Sequence, residues 1–480
     1  MASPSRGSER TLTAVRSPLA PGTDAACAVV VLAGRAHATP EHVGPRLRIV
    51  QTGGLVFGRA VASQALDDPS ATAPAFWELA DPLVSSRHAR LELHEEGLFL
   101  EDLGSKNGTF AGAERVLAPT RVSAGRPFFL GGHAFVWFWA GGEALLAIER
   151  EQREPFGPVP TANPTLALIA HRLRLWARSG EDLLLQGETG VGKEVYARAV
   201  HAASGRTGPF VPINCAALPR ELVESELFGY RPGAHSTARV GKPGRIEQSE
   251  GGTLFLDEIG EMPPDAQAKL LRFVQDRLLV PLGSTSAQPI DVRIVSATNR
   301  TVQSGEGLHL RPDLLGRLGA APVVLPPLRE RLEDLGALAW FFLSRRGMPG
   351  LGFETPALRA LFLHPWPLNV RELEKVLYAA ASLTEGRRPL ALGDLPAAFA
   401  AALEARAACE NEPAAGEPGL ATAVGRKPPR PGPSREELES LLVRHQGNVA
   451  DVSRALGRQR AAVWRWIKRF GLRTDGFREK

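Results

Sequence analysis

The stretch GETGVGKE, Gly187–Glu194, has the glycine and lysine spacing of a phosphate-binding loop. Gly187, Gly190 and Gly192 permit a tight turn whose amides face an anion. The helix that follows aims its positive end at the same point. Glu188, Thr189 and Val191 complete the loop, and Lys193 supplies a mobile charge for the β- and γ-phosphates. Glu194 stands where the general motif has a Ser or Thr on Mg2+. Downstream, LFLDEIGEMP (Leu254–Pro263) is an apolar strand ending in two acids, Asp257 and Glu258. Acids at the carboxyl end of a parallel strand sit where α/β proteins bind ligands. Asp257 is suited to hold Mg2+ and Glu258 to polarise an attacking water, which together imply ATP hydrolysis. A plain helix cap near Pro263 is the simpler reading of the acids, and the phosphate loop upstream outweighs it.

The elements that must hold these groups separate by pattern into a multidomain chain. Residues 1–26 read as a disordered leader, with Arg but no long apolar core. Residues 27–142 carry short β-type runs (VVVL, RLRIV, LVFG, ARLELH, GLFLED, FFLGG, FVWFW) punctuated by Gly, Pro and Asp, which predict an all-β sandwich. Residues 155–403 alternate helical and strand patterns and predict an α/β domain, with LLLQG, TLFLDE and VRIVSATN as buried parallel strands. Residues 404–433 are dense in Pro, Gly and Ala and read as a linker. Residues 434–475 predict three short helices, the first opened by a capping box from Ser434 to Glu437.

Charge sharpens the last assignment. The net charge is +5, and Ser434–Lys480 holds 11 Lys/Arg against 6 Asp/Glu, leaving 46 of each sign before it. All the excess positive charge lies in the terminal module, which points to nucleic acid. The three cysteines, Cys27, Cys215 and Cys409, fit neither a metal spacing nor a disulfide framework, as expected in a reducing cytoplasm. No run of about 18 apolar residues is present, so no membrane span is expected.

GETGVGKE, FVPINCAAL, ESELFG, GGTLFLDEIGEMP, VRIVSATNR, LRPDLLGRL, LPPLRER and WPLNVRELE occur in that order. Together they resemble the AAA+ domain of bacterial sigma-54-dependent transcription activators, a P-loop ATPase with a helical lid. The resemblance implies that Asn214 restrains Glu258, that Asn299 senses the γ-phosphate, and that Arg371 is a second sensor. It also implies that Arg311 and Arg317 reach a neighbouring subunit's site, so that the active form is a ring, hexameric in this family. In that family a Gly-Ala-Phe-Thr-Gly-Ala loop engages sigma-54 RNA polymerase. This chain has Gly233, Ala234, His235, Ser236, Thr237 and Ala238 there. The altered residues leave open an alternative: a DNA-binding AAA+ regulator that does not act through sigma-54.

FGRA, DPLVSSRHARLEL and LEDLGSKNGTF are similar to the forkhead-associated (FHA) domain, a β-sandwich that binds phosphothreonine peptides. Arg59, Ser85, Arg87 or Lys106 would supply charge and donors to a phosphate, and Asn107 would grip the peptide backbone. His88 reads as a buried ring pinning two loops. NVADVSRALGRQRAAVWRWIKRFGL looks like the Fis-type helix-turn-helix that ends many sigma-54 activators. Arg458, Gln459, Arg460 and Arg465 are the candidates for base or phosphate contact at an upstream DNA site, with Lys468 and Arg469 on phosphate.

Overall fold

The structure, a computed structural model, describes residues 26–36, 46–50, 54–59, 75–94, 96–234, 240–300, 310–319, 322–401, 403, 435–445 and 452. The chain divides into two compact units, Met1–Pro413 and Ala414–Lys480.

The first unit opens with a β-sandwich. Its strands are β1 (Cys27–Arg35), β2 (Arg46–Ile49), β3 (Leu55–Gly58), β4 (Ala75–Glu78), β5 (Ala89–His94), β6 (Gly97–Asp102), β7 (Thr109–Ala111), β8 (Glu114–Arg115), β9 (Thr120–Val122), β10 (Phe128–Leu130) and β11 (His133–Ala140). One sheet runs β2-β1-β11-β10-β7-β8 and the other β4-β3-β5-β6-β9. All pairings are antiparallel except β3 with β4. Phe57, Trp77, Leu91, Leu100, Phe128 and Phe135 fill the space between the sheets, with Phe128 stacked on Phe135 at 5.3 Å. In a strand, alternate side chains face opposite sides, so one apolar face suffices for a free sandwich. Yet β1 is buried at every position from Ala28 to Gly34. Its outer face is covered by helices from the rest of the unit.

Helix α1 (Gly142–Arg153) follows β11 directly, then α2 (Pro164–Ser179). Ala144, Ala147, Ile148 and Ala167 of these helices pack with Val29, Val31 and Phe138 of the sandwich. The start of α2 is fixed chemically: Pro164 occupies the first turn, and the Asn163 side chain accepts from the Leu166 amide at 3.0 Å.

The α/β core continues with β12 (Leu183–Gln186), α3 (Lys193–Ala203), β13 (Phe210–Asn214), α4 (Arg220–Phe228), β14 (Gly229–Tyr230), β15 (Lys242–Pro243), α5 (Arg245–Gln248), β16 (Thr253–Asp257), α6 (Pro264–Asp276), β17 (Leu278–Leu279), β18 (Gln288–Pro289), β19 (Arg293–Thr298), α7 (Pro312–Leu318) and β20 (Val323–Val324). Five strands form a parallel sheet in the order β13-β16-β19-β12-β20. β12 and β19 are buried at every position and β16 at every position but its last, Asp257, as expected of strands covered on both faces. Helices α8 (Leu335–Arg345), α9 (Thr355–Leu363) and α10 (Asn369–Thr384) form a lid packed around Phe342, Leu361, Trp366 and Leu377, in a core continuous with the outer face of the sandwich.

In the second unit the described helix is α11 (Arg435–Arg444), with Leu438 and Leu442 buried. No helix among the described residues is long and apolar enough to cross a membrane.

Candidate functional site

β12 delivers the chain to the phosphate loop at the carboxyl edge of the parallel sheet, and α3 leaves from it. Gly190 and Gly192 have φ of +81° and +105°, a region that glycine enters without penalty. Gly190 is also needed for space, because a Cβ there would lie 2.2 Å from the Leu368 carbonyl oxygen. Lys193 is buried, and its ammonium donates to the carbonyls of Gly187 (2.8 Å) and Glu188 (3.3 Å). It lies 3.8 Å from Glu258 Oε1.

The two acids end the adjacent part of the sheet. Asp257 closes β16, and Glu258 has φ of +51°, an uncommon region for a residue with a side chain. Such backbone costs of order 1–3 kcal/mol and persists where its surroundings enforce it. Here the Asn299 amide donates to Glu258 Oε2 at 3.2 Å, and the Glu258 amide donates to Asp257 Oδ1. Burial pushes both carboxyls above their ordinary range, and Lys193 opposes this without overcoming it. A partly buried carboxylate pair beside one buried ammonium retains negative charge for a cation. The donor set therefore fits Mg2+, which takes one or two carboxylates and completes its shell with water and phosphate.

Asn214 is placed differently from expectation. Its Oδ1 accepts from the amides of Ala216 and Ala217, and its amide nitrogen faces Asp257 Oδ2 at 3.5 Å rather than Glu258. The reason is register: β13 pairs with β16 so that Asn214 lies opposite Asp257. Glu258 is held instead by Asn299. Arg311 caps the start of α7 and Arg317 lies in its last turn; both are exposed, Arg311 paired with Asp313 at 2.7 Å. Arg371 sits on the first turn of α10 beside Gly190. Gly233 and Ala234 lie past β14, and Ala234 packs on Gly283. His235, Ser236, Thr237 and Ala238 lie outside the described residues, as do Arg458, Gln459, Arg460, Arg465, Lys468 and Arg469.

The lid clamps the loop through residues that motif reading passed over. Arg329 makes a bidentate pair with Glu188 at 2.8 and 2.6 Å. The buried Arg331 donates to the Val191 carbonyl at 2.7 Å. Asn369, at φ +55°, donates to Glu188 and to the Thr189 carbonyl, and its own Oδ1 accepts from the Leu328 amide. Arg329 and Arg331 lie in LPPLRER and Asn369 in WPLNVRELE, so the signal was in hand without a partner to attach to it.

The far end of the sandwich gathers the other candidates. Arg59, Arg87, Lys106 and Asn107 are exposed. Ser85 Oγ accepts from the Lys106 amide at 3.1 Å, which joins the loops after β4 and β6. Asn107 donates to the Leu83 carbonyl at 2.7 Å. His88 is fully buried, accepts from the Ser85 amide through Nδ1, and meets the Gly108 carbonyl through Nε2. It holds the rim and does not face solvent.

Residues 160–324 match the family model of the sigma-54 interaction domain, residues 329–411 that of the AAA+ ATPase lid domain, and residues 55–131 that of the FHA domain. The regulatory protein LuxO of Vibrio cholerae is 39% identical over 339 residues, which is 68% of this chain and 63% of LuxO. The transcriptional regulatory protein GlrR of Escherichia coli is 38% identical over 327 residues, 67% of this chain and 70% of GlrR. The transcriptional regulatory protein XylR of Pseudomonas putida is 39% identical over 315 residues, 63% of this chain and 55% of XylR. The chain thus spans less than two thirds of LuxO and of XylR. The crystal structure of NtrX from Brucella abortus in complex with ATP is similar over 66% of this chain and 70% of that one, at 30% identity and a TM-score of 0.45.

Proposed function

The chain belongs to the family of sigma-54-dependent AAA+ transcription regulators, and on that premise we propose that it hydrolyses ATP to remodel sigma-54 RNA polymerase from an upstream DNA site, under control of a phosphothreonine-containing partner. The observation that carries the reading is Lys193 and Glu258 side by side at the carboxyl edge of the sheet, 3.8 Å apart, at the mouth of a glycine loop. Lys193 and the loop amides hold the triphosphate. Glu258, fixed by the Asn299 amide, orients the attacking water and receives its hydrogen bond. Mg2+ held by Asp257 would offset charge on the β- and γ-oxygens. Arg311, which precedes α7, and Arg317, within it, are exposed and would serve a neighbouring subunit, Arg311 exchanging its Asp313 partner for phosphate, which makes the active species a homo-oligomer, with six copies by family resemblance. An arginine supplied in this way is worth about 10³–10⁵ in rate. Arg371, on the first turn of α10 beside Gly190, would report nucleotide to the lid.

The domain limits proposed are 27–142 for the FHA domain, 155–403 for the AAA+ part, and 434–475 for the helix-turn-helix that would bind DNA. The rim of Arg59, Ser85, Arg87, Lys106 and Asn107 takes the phosphopeptide. The test is ATP-dependent open-complex formation with sigma-54 holoenzyme. ATP turnover with no open complex, and open complexes after Phe, Thr and Gly replace His235, Ser236 and Thr237, would favour the regulator that acts without sigma-54.

A further inference from the structure

The outer face of the FHA sandwich is seated on the AAA+ lid, and the same lid segment braces the phosphate loop. Ala33, Ala36, Phe129, Ala134 and Val136 of the sandwich share one buried core with Leu335, Leu358 and Phe362 of the lid. Two glycines face each other across this seam. A Cβ on Gly336 would lie 2.1 Å from the Ala33 carbonyl oxygen, and one on Gly34 would lie 2.7 Å from the Phe362 ring. Neither has a positive φ, so glycine is required there for proximity and not for conformation. At the edge of the seam Arg359 of α9 donates to the Ala113 carbonyl at 3.1 Å. Its guanidinium lies 3.9 Å from the centre of the Phe110 ring.

Gly336 is only a few residues along the chain from the clamp. Arg329 holds Glu188 and Arg331 holds the Val191 carbonyl. Asp334, between Arg331 and Gly336, accepts from Thr161 Oγ1 at 2.7 Å and from the Ala162 amide at 2.8 Å. The segment Leu328–Gly336 is thus fixed on one side by β1 and on the other by the nucleotide loop.

We propose that the FHA–lid seam is a coupling surface: the seated FHA domain positions the phosphate loop through Arg331, and Gly336 and Arg359 are the positioning residues that keep it seated. This rests on the nucleotide-binding reading of the loop and does not need the phosphothreonine reading. Loosening the seat frees the segment that carries Arg331, so the loop is less well ordered for phosphate and nucleotide binds more weakly. By linkage, nucleotide must tighten the seam by the same factor.

The test uses the full chain and a fluorescent ADP analogue. Gly336→Ala is informative because alanine favours a helix over glycine, so the change strengthens α8 locally and strains only the seam. The wild type must bind the analogue; if it does not, the nucleotide reading fails before this one is reached. The expected result is a Kd raised about fivefold or more in Gly336→Ala, a smaller rise in Arg359→Ala, and faster amide exchange in β1 for both. In the wild type, ADP should slow exchange in β1. If β1 exchange rises in either variant while its Kd stays within twofold of wild type, the seam does not position the loop. Arg359→Ala decides the matter alone should Gly336→Ala fail to fold.

Discussion

The two sites proposed to take phosphate are built in opposite ways. At the nucleotide loop the cation Lys193 is buried, the acids are partly buried, and the backbone is fixed in left-handed conformations at Gly190, Gly192 and Glu258. At the FHA rim the cations Arg59, Arg87 and Lys106 are exposed, and order is confined to the scaffold beneath them, through His88, Ser85 and the Asn107–Leu83 hydrogen bond. A buried site strengthens every electrostatic contact by excluding water, and it suits chemistry. An exposed rim keeps charges solvated and suits reversible capture of a mobile ligand. Its strength then depends on geometry at a few side chains.

The sharpest way to break this contrast is to remove charge from each site. Glu258→Gln should lower ATP turnover by about 10²–10⁴ while leaving phosphopeptide affinity unchanged; equal turnover in a steady-state assay would remove Glu258 from the chemistry. Arg59→Ala should weaken a phosphothreonine peptide by about 1.5–3 kcal/mol, the worth of a hydrogen bond to a charged group. Calorimetry with matched phosphorylated and unphosphorylated peptides checks it. An unchanged difference between the two peptides would mean that the rim reads something other than phosphate.

The buried side of the contrast can be read by pH. Glu333 lies in the segment under the nucleotide loop, and burial together with Asp334 raises its carboxyl to about 8. A carboxyl raised on folding binds its proton more tightly in the native state. Stability is therefore greatest below the ordinary Glu value near 4.5 and falls as pH rises towards about 8. Glu333→Gln should raise stability at pH 8 by roughly 3–5 kcal/mol, read as a higher melting temperature, and leave it nearly unchanged at pH 4.5. A variant less stable than wild type at pH 8 would show that Glu333 is charged and needed in the native fold.

The same contrast explains what the sequence made legible. The glycine loop, the acids that end TLFLDE and the rim residues follow from local spacing, so a linear reading reaches them. The clamp does not: Arg329 and Glu188 are 141 residues apart, and Asn369 and Thr189 are 180 apart. Short strands such as β7, β8 and β9, of two or three residues, show too little alternation to be read. β1 and β11 read as apolar runs, and the run itself was the sign that both faces are covered, by the other sheet within and by the helices and lid outside. Asn214 was tied to Glu258 by resemblance, whereas strand register sets it against Asp257.

The smallest effect separates geometry from energy within the clamp. The Arg329–Glu188 pair has ideal bidentate distances, yet its side chains are about 40% exposed (43% and 41%). Water screens such a pair, and measured values are about 0.2–1 kcal/mol. Asn369 bonds the same Glu188 but is fully buried and also satisfies the Thr189 carbonyl and the Leu328 amide. Deleting its amide leaves the buried Leu328 amide unsatisfied, at about 1–3 kcal/mol. Arg329→Ala should therefore cost less than 1 kcal/mol in chemical denaturation and Asn369→Ala more. The reverse order would mean that the exposed ion pair, and not the buried amide, fastens the lid to the nucleotide loop.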